Sequence, residues 1–346
     1  MSRFRRLLGL ALAVTALAGC AAQKNEGPTL ALDAPLPASV TEGTKLVIGD
    51  PATKIALQLS GELDKFSFPI EWANISGGPQ TLEAFRADAL DIGAVAEIPA
   101  IHATWTNLPV KIVASKFRQD PLAHPVYRLG VAPGVTVSTL ADLRGKKIAF
   151  SPGQAQGALI LRVLKKAGLT KDDVQLIELP STGDVYPNAL AAKQVDVAPI
   201  GGVAVPRYLA KYGKDGATAI DHGLRDDPSH LYVRTETLED PGKAAAIAEY
   251  VKAWGRATKW VYEHPQEWIQ GYYVADQHIS KEDGEYLVQN AGQPDVPADW
   301  SDVIARHQET IDLLAAHTGN PVFKSENLFD RRFEKIGAEG YAGSTA

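Results

Sequence analysis

An internal repeat of strands and helices constrains the fold of this chain more than any other feature of its sequence. The segment Leu90 to Val95 reads Leu-Asp-Ile-Gly-Ala-Val, and Val195 to Ile200 reads Val-Asp-Val-Ala-Pro-Ile, an offset of 105 residues (195 minus 90). Each copy follows an earlier strand and helix, and this alternation is typical of parallel strands. The repeat therefore predicts two similar α/β lobes.

The predicted elements of the two copies follow the same order. Strands are predicted at 46–49, 66–72, 147–150 and 174–179, and helices at 54–61, from Pro79, at 158–167 and from Asp184. About 300 folded residues exceed what one core usually supports, which also favours two lobes. Short strand-like segments at 127–131 and 231–234 are predicted to cross between the lobes as a hinge.

The C-terminal part of the chain differs in character from the two repeat units. The Gly- and Ala-rich end at 337–346 is predicted to fray. The chain from residue 240 onward is predicted to be helical. Its aromatic residues Trp254, Trp268 and Tyr272 are interpreted as core, because their helical spacing is what packing requires.

The stretch from Ile75 to His102 has the features of a ligand-binding rim. Gly78 is a turn residue next to Pro79, which suits a first helical position, and the strand at 90–95 opens into a second loop at Ala96. In an open α/β sheet, ligands bind beyond the carboxyl ends of the strands, where helix N-termini and free amides point into a crevice. This stretch therefore indicates binding rather than catalysis.

The same stretch carries a resemblance to a known family. The motifs Gly-Pro-Gln-x-Leu-Glu-Ala-Phe, Ala-Leu-Asp-Ile-Gly and Glu-Ile-Pro-Ala, in this order, are similar to the aliphatic-sulfonate, taurine and nitrate group of substrate-binding proteins of ABC importers. The resemblance extends from about residue 46 to residue 333. It implies the type II periplasmic-binding fold, in which two lobes, each a mainly parallel sheet flanked by helices, close on a ligand. In that fold the first lobe is discontinuous, so lobe 1 would take residues 44–127 and 233–336, and lobe 2 residues 128–232. It also implies an ABC permease as partner and a monomer without a cofactor.

The resemblance marks ligand-binding residues in the rim loops of both lobes. Together with Ser76, interpreted as a hydrogen-bond donor, they are Asp50, Gly78, Pro79, Gln80, Ala96, Glu97, Ser151, Gly153, Gln154, Gln156, Gly201 and Gly202. The loop at 199–204 is small and apolar where many relatives carry an aromatic residue and an acid, which predicts a wider and less polar wall. Asp50 and Glu97 would repel a bare sulfonate unless the ligand also carries an amine or these two side chains point elsewhere.

The start of the chain indicates an exported lipoprotein. Three arginines precede an apolar run from Leu7 to Leu17 that is too short to span a bilayer, which predicts a signal peptide over residues 1–19. The following Leu-Ala-Gly-Cys resembles a bacterial lipobox, so Cys20 is the predicted lipid attachment site. Residues 20–43 are predicted to form a flexible tether of about 25 Å. The folded part would then lie outside the cytoplasm, anchored to the bacterial cell membrane.

Composition and missing motifs exclude several function classes. Without residues 1–19 the chain has 32 rather than 35 basic residues against 41 acidic ones, a net charge of −9, which argues against nucleic acid as partner. The eight histidines are scattered singly, with no metal-binding spacing. The Gly-rich segment 151–157 lacks the Gly-Lys-Ser or Gly-Lys-Thr of an ATP-binding loop.

The sequence thus predicts a binding protein that captures a small sulfonate-like organic solute and delivers it to an ABC permease. Nitrate, a pyrimidine vitamin precursor and an aromatic acid are alternative ligands. An extracytoplasmic hydrolase or desulfinase on the same scaffold is the alternative from another class. It is disfavoured because Cys20 is the only cysteine and no Ser, His and acid motif is present.

Overall fold

The computed structural model describes residues 29–75 and 77–343. The strands are β1 Leu46–Gly49, β2 Ile70–Trp72, β3 Ile92–Val95, β4 Val110–Arg118, β5 Tyr127–Val131, β6 Lys147–Phe150, β7 Gln175–Glu178, β8 Val197–Gly201, β9 Thr218–Ile220, β10 Ser229–Arg234 and β11 Pro294–Asp295. The helices are α1 Pro51–Leu59, α2 Gly78–Arg86, α3 Ile98–Trp105, α4 Ala155–Lys166, α5 Val185–Ala191, α6 Ala204–Tyr212, α7 Thr235–Glu239, α8 Pro241–Glu263, α9 Pro265–Trp268, α10 Lys281–Ala291, α11 Ser301–Thr318 and α12 Ile336–Ala342.

The strands form two sheets, one for each lobe. The first has the order β11-β4-β10-β3-β1-β2 and the second the order β7-β6-β8-β5-β9. Helices flank both sheets, and the buried apolar side chains between them form the core. The predicted two-lobe α/β fold is confirmed.

The repeat in the sequence corresponds to three parallel strands in each sheet. β1 lies between β2 and β3, and β6 lies between β7 and β8. The matched aspartates have the same task in both lobes, because Asp91 accepts a hydrogen bond from Val47 N and Asp196 accepts one from Lys147 N, each at 2.8 Å. Each aspartate thus ties the third strand of its unit to the first.

The sheets are mixed, so the expectation of mainly parallel sheets is wrong. β10 pairs antiparallel with β3 and β4, and β5 pairs antiparallel with β8 and β9. β5 and β10 are the strands that the chain enters on arriving from the other lobe. They do not follow a helical crossover, so nothing requires them to run parallel to their neighbours.

The crossing between the lobes uses loops rather than the two predicted hinge strands. β5 belongs to the second sheet and β10 to the first, so the crossing segments are residues 119–126 and 221–228. Asp226 fastens these segments together, because its carboxylate accepts hydrogen bonds from Val126 N at 3.0 Å and Tyr127 N at 2.7 Å. The boundary predicted at residue 232 therefore moves back, ahead of β10.

Both ends of the described chain are packed against the folded body. The backbone N–H of Leu30 donates to Glu239 O at 2.7 Å, and Leu32, Leu36 and Val40 pack against the core. The predicted flexible tether is therefore wrong for residues 30–43. The predicted frayed end is also wrong as far as Ala342, because α12 packs closely on α8. The signal peptide and Cys20 lie outside the described residues.

No helix within residues 29–75 and 77–343 is both long and apolar enough to cross a membrane.

Candidate functional site

A cleft of about 600 Å³ lies between the two sheets, beyond the carboxyl ends of β1 and β3. The first lobe lines it with the start of α1, the end of β4 and aromatic side chains of α8 and the segment after it. The second lobe and the crossing segments contribute Tyr127, Ala155, Asp226 and Asp227. A ligand in this cleft would therefore contact both lobes.

Aromatic rings form much of the apolar wall. Trp254 and Trp268 are 3% and 6% exposed, and Tyr272 stacks on Trp268 with ring centroids 4.3 Å apart. All three rings line the cleft, so these residues form part of the cleft wall in addition to their predicted role in the core. Tyr272 lies in a π-helix over Ile269–Asp276, a rare winding that is frequent at functional sites.

Two basic side chains of β4 enter the cleft. Successive side chains of a strand point to opposite faces, so Lys116 and Arg118 share one face. The Lys116 ammonium lies 5.5 Å from the ring centroid of Trp254 and has no hydrogen-bond or ion-pair partner among the described residues. Burial lowers its pKa, and the charge of Asp50 partly opposes that shift. Lys116 is therefore a cation that can receive an anionic ligand.

Arg118 is more constrained than Lys116. Its guanidinium donates to the carbonyl oxygens of His124 and of Asn290, the latter at 3.3 Å. Burial lowers the pKa of Arg118, while Asp226 and Asp227 oppose the shift. Arg118 therefore adds positive charge to the cleft but has fewer donors left for a ligand.

The carboxylates in the cleft wall are engaged by the protein itself. Asp50 caps α1 by accepting from Thr53 N at 3.2 Å, and it accepts from the hydroxyl of Tyr250 at 3.1 Å. Asp227 accepts from Arg118 N at 2.6 Å and from Arg225 Nε at 2.8 Å. Asp50 and Asp227 thus have donors within the protein, whereas the Lys116 ammonium has no hydrogen-bond or ion-pair partner among the described residues, so Lys116 is the charged group left to bind an anion.

Only a few of the ligand-binding residues predicted from the sequence line this cleft. Asp50 and Ala96 do so. Glu97 does not, because its carboxylate pairs with Arg162 and accepts from the Thr310 hydroxyl at 3.2 Å. Outside the cleft wall lie Gly78, Pro79, Gln80, Ser151, Gly153, Gln154, Gln156, Gly201 and Gly202. Ser76 is outside the described residues.

The glycines and polar residues of the rim loops serve close packing. A Cβ at Gly78 would overlap the ring of Pro99, and one at Gly201 would come within 2.7 Å of Val126 O. Gly153 adopts a φ of 80° and faces the imidazole of His102 in the other lobe. Gly78 thus serves packing within the first lobe and Gly153 the approach of the two lobes, while a role of these residues in ligand binding stays a prediction.

The cleft residues that sequence reasoning missed carry a recognisable signal. Lys116 and Arg118 are two cations spaced by two at the end of the strand Val110–Arg118, which places both on one face. Such residues are rarely buried without a partner. Two cations in this pattern indicate an anion site from the sequence alone.

Comparison with known proteins gives one family and several relatives. Residues 74–268 match the family described as NMT1/THI5 like. A protein of Escherichia coli (strain K12) assigned by name to aliphatic sulfonate binding is 35% identical over 106 residues, which is 31% of this chain and 32% of that protein. This chain thus matches about a third of the length of that relative.

Solved structures share the fold over nearly their whole length. The periplasmic aliphatic sulphonate binding protein SsuA from Escherichia coli has a TM-score of 0.68 at 22% identity, covering 82% of this chain and 91% of that one. The alkanesulfonate-binding protein SsuA from Xanthomonas axonopodis pv. citri, bound to MOPS, has a TM-score of 0.67 at 22% identity, covering 85% and 99%. The resemblance found in the sequence is thereby confirmed.

Proposed function

Because this chain belongs to the NMT1/THI5-like family, we propose that it is a solute-binding protein that holds a small organic sulfonate between its two lobes. The observation that carries the proposal is Lys116, a cation with no partner among the described residues, in an aromatic-walled cleft. The names of the relatives support it, since they bind aliphatic sulfonates. One of them holds MOPS, which is an aminosulfonate.

The cleft would divide the ligand between two environments. The sulfonate would accept hydrogen bonds from the Lys116 ammonium, with Arg118 adding favourable charge at short range. The organic body would pack against Trp254, Trp268 and Tyr272, whose apolar area favours burial of alkyl or ring groups. Both halves of the ligand thus gain free energy on leaving water.

Contacts from both lobes would make binding favour the closed arrangement. Tyr127 and Ala155 face the cleft from the second lobe, opposite the aromatic wall of the first. A ligand that touches both lobes binds the closed form better than the open one, so it shifts the population towards closure. Closure also excludes water, which strengthens the attraction between Lys116 and the anion.

The cleft distinguishes among the alternative ligands. Nitrate would leave most of a cavity of about 600 Å³ and its aromatic wall unused. A carboxylate has about four acceptor sites, and Asp50 uses two of them, so it could still accept from an amine on the ligand. Alkanesulfonates and aminosulfonates therefore both fit, and an aromatic acid remains the next alternative.

We further propose that the protein is lipid-anchored at Cys20, works with an ABC permease and does not transform its ligand. The support for the anchor is the lipobox-like sequence at 17–20. Replacing Cys20 by Ala should release the protein from membranes without a change in ligand affinity. A Cys20→Ala protein that remains wholly in the membrane fraction after alkaline extraction would contradict the anchor.

A thermal-shift screen at fixed ionic strength tests the binding proposal. The ligands are alkanesulfonates of increasing chain length, MOPS, sodium nitrate, a hydroxymethylpyrimidine and benzoate. A ligand at a hundred times its dissociation constant adds about 2.7 kcal/mol to the native state, which is easily measured. We expect the sulfonates to raise the melting temperature most. A shift with nitrate or the pyrimidine and none with any sulfonate would overturn the assignment.

A further inference from the structure

A second cavity, which we call the hinge cavity, lies behind Phe117. Its volume is about 160 Å³, and Phe117 and Pro228 belong to the walls of both the cleft and the hinge cavity. It is lined by Glu97 and His230 of the first lobe, Arg162 of the second lobe, Arg225 of a crossing segment, and Arg306, His307 and Glu309 of α11. An occupant would therefore touch the elements that join the two lobes.

The wall of the hinge cavity carries three arginines and two glutamates. Arg162 is paired with the buried carboxylate of Glu97, and Arg225 is paired with Asp227 at 2.8 Å. Arg306 has no hydrogen-bond or ion-pair partner in the residues that the structure describes. The remaining acid, Glu309, is exposed and makes no ion pair in that part of the chain. Arg306 is thus the guanidinium of the wall that has no ion-pair partner in that part of the chain, although the charges of Asp302, Asp227 and Asp295 act to raise its pKa.

Two guanidinium groups converge on the same aromatic ring. Arg225 and Arg306 lie 5.2 Å and 4.9 Å from the ring centroid of Phe117. Each gains a cation–π contact, but the two like charges disfavour one another, and Arg225 lowers the pKa of Arg306 in addition to burial. An anion between them would relieve this repulsion.

His307 supplies an independent observation that points to a ligand. Its side chain is 1% exposed, and neither ring nitrogen has a hydrogen-bond partner within the described residues. By contrast, the neighbouring His230 is satisfied through the hydroxyl of Ser115 at 2.9 Å. Buried polar groups in native proteins almost always have a partner, so the imidazole in the cavity wall calls for one.

We propose that the hinge cavity binds a small inorganic oxyanion, such as sulfate or phosphate, held by Arg306, Arg225 and the ring N–H of His307. A metal cation would be repelled by three arginines. Water could bond to His307 but would not compensate the charge of Arg306. The cavity is well above the ~10–15 Å³ that one water needs, and it is only about a quarter of the size of the cleft, so it suits a tetrahedral ion rather than an organic sulfonate.

Sulfate titration of the purified protein tests this site. The melting temperature is followed by tryptophan fluorescence at constant ionic strength, with sodium gluconate as the balancing salt because gluconate is too large for the hinge cavity. We expect a saturable rise in wild type. Arg306→Gln should weaken the apparent sulfate affinity about tenfold or more, because a charged hydrogen bond is lost, whereas Arg306→Lys should retain part of it.

Further variants distinguish the hinge cavity from the cleft. Lys116→Met removes the proposed anion partner in the cleft and should leave the sulfate response intact. His307→Leu keeps a side chain of similar size and should reduce the response, which keeps the test decisive if Arg306→Gln does not fold. The proposal is overturned if wild type shows no saturable response. It is also overturned if Lys116→Met abolishes the response while His307→Leu preserves it.

Discussion

Replacing Lys116 by Met tests the electrostatic basis of ligand binding most directly. Met keeps an unbranched side chain that can lie on Trp254, but it removes the ammonium that has no partner among the described residues. A hydrogen bond to a charged group contributes about 1.5 to 3 kcal/mol, so the dissociation constant of an alkanesulfonate should rise about 10- to 150-fold. A neutral ligand of the same shape should be affected far less.

The substitution should not harm the unliganded fold. Lys116 is half-buried without an ion pair to any described residue, and burial lowers its pKa, so its charge is unfavourable in the empty cleft. We therefore expect the unliganded Lys116→Met protein to melt at the same temperature as wild type or higher. A loss of affinity together with unchanged stability would separate a binding role from a structural one.

Titration calorimetry with a series of alkanesulfonates is the appropriate assay. Lys111→Met is the matched control, because Lys111 lies on the same strand but donates to Asn327 O at 2.6 Å, away from the cleft. The pH dependence adds a second measurement. Binding needs the protonated amine, so wild-type affinity should fall as pH rises through the lowered pKa of Lys116, and Lys116→Met should show no such fall. Equal affinities of wild type and Lys116→Met would refute the reasoning.

Three further predictions follow from other contacts. Asp50→Asn should weaken the binding of MOPS by about 1.5 to 3 kcal/mol if the ligand amine pairs with this carboxylate, and it should leave unchanged or improve the binding of 3-cyclohexylpropanesulfonate. Competition titration measures both affinities. Equal changes in the two would mean that Asp50 serves only as a helix cap. Gly78→Val should destabilise the protein by about 1 to 3 kcal/mol in urea unfolding, because its side chain meets Pro99, with little change in affinity. Burial lowers the pKa of His307 from 6.5 to about 3. Between these two pKa values the unfolded chain therefore binds more protons than the folded chain. The free energy of unfolding should fall as the pH falls, by about 1.4 kcal/mol for this histidine between pH 7.5 and 5.5. The His307→Leu protein should lose that part of the pH dependence of stability. If its unfolding free energy changes with pH as steeply as that of wild type, the prediction is wrong.

The parallel part of each sheet was predictable because its signals are local. Asp91 and Asp196 lie at the start of equivalent strands and accept hydrogen bonds from the first strand of their own unit. The short sequence motif around each aspartate therefore indicates how the strands within that unit are arranged. The place of β10 between β3 and β4 was not predictable in this way. Its pairing joins residues more than a hundred positions apart, such as Val233 and Ile92, and no local pattern encodes that partner.

Of the ligand-binding residues predicted from the sequence, Asp50 and Ala96 line the cleft and the other described ones lie in loops outside its wall. Sequence motifs concentrate in the rim loops, where glycines such as Gly78 and Gly201 are required by close packing. The walls of the cleft come from β4 and from the helical region after residue 240, whose residues look like ordinary core. Trp254 belongs to both groups, since it is a buried core residue and also lines the cleft. Helical periodicity cannot separate these two roles.

The alternation of β4 explains why one strand serves two sites. Lys116 and Arg118 face the cleft, while Ser115 and Phe117 face towards His230 and the hinge cavity. An organic anion on one face and an inorganic anion on the other would thus be separated by little more than a strand and the ring of Phe117. Two like charges so close would repel, so occupation of either site should weaken the other unless closure of the lobes compensates. By linkage the effect must be equal in both directions, so sulfate should alter sulfonate affinity by the same factor by which sulfonate alters sulfate affinity.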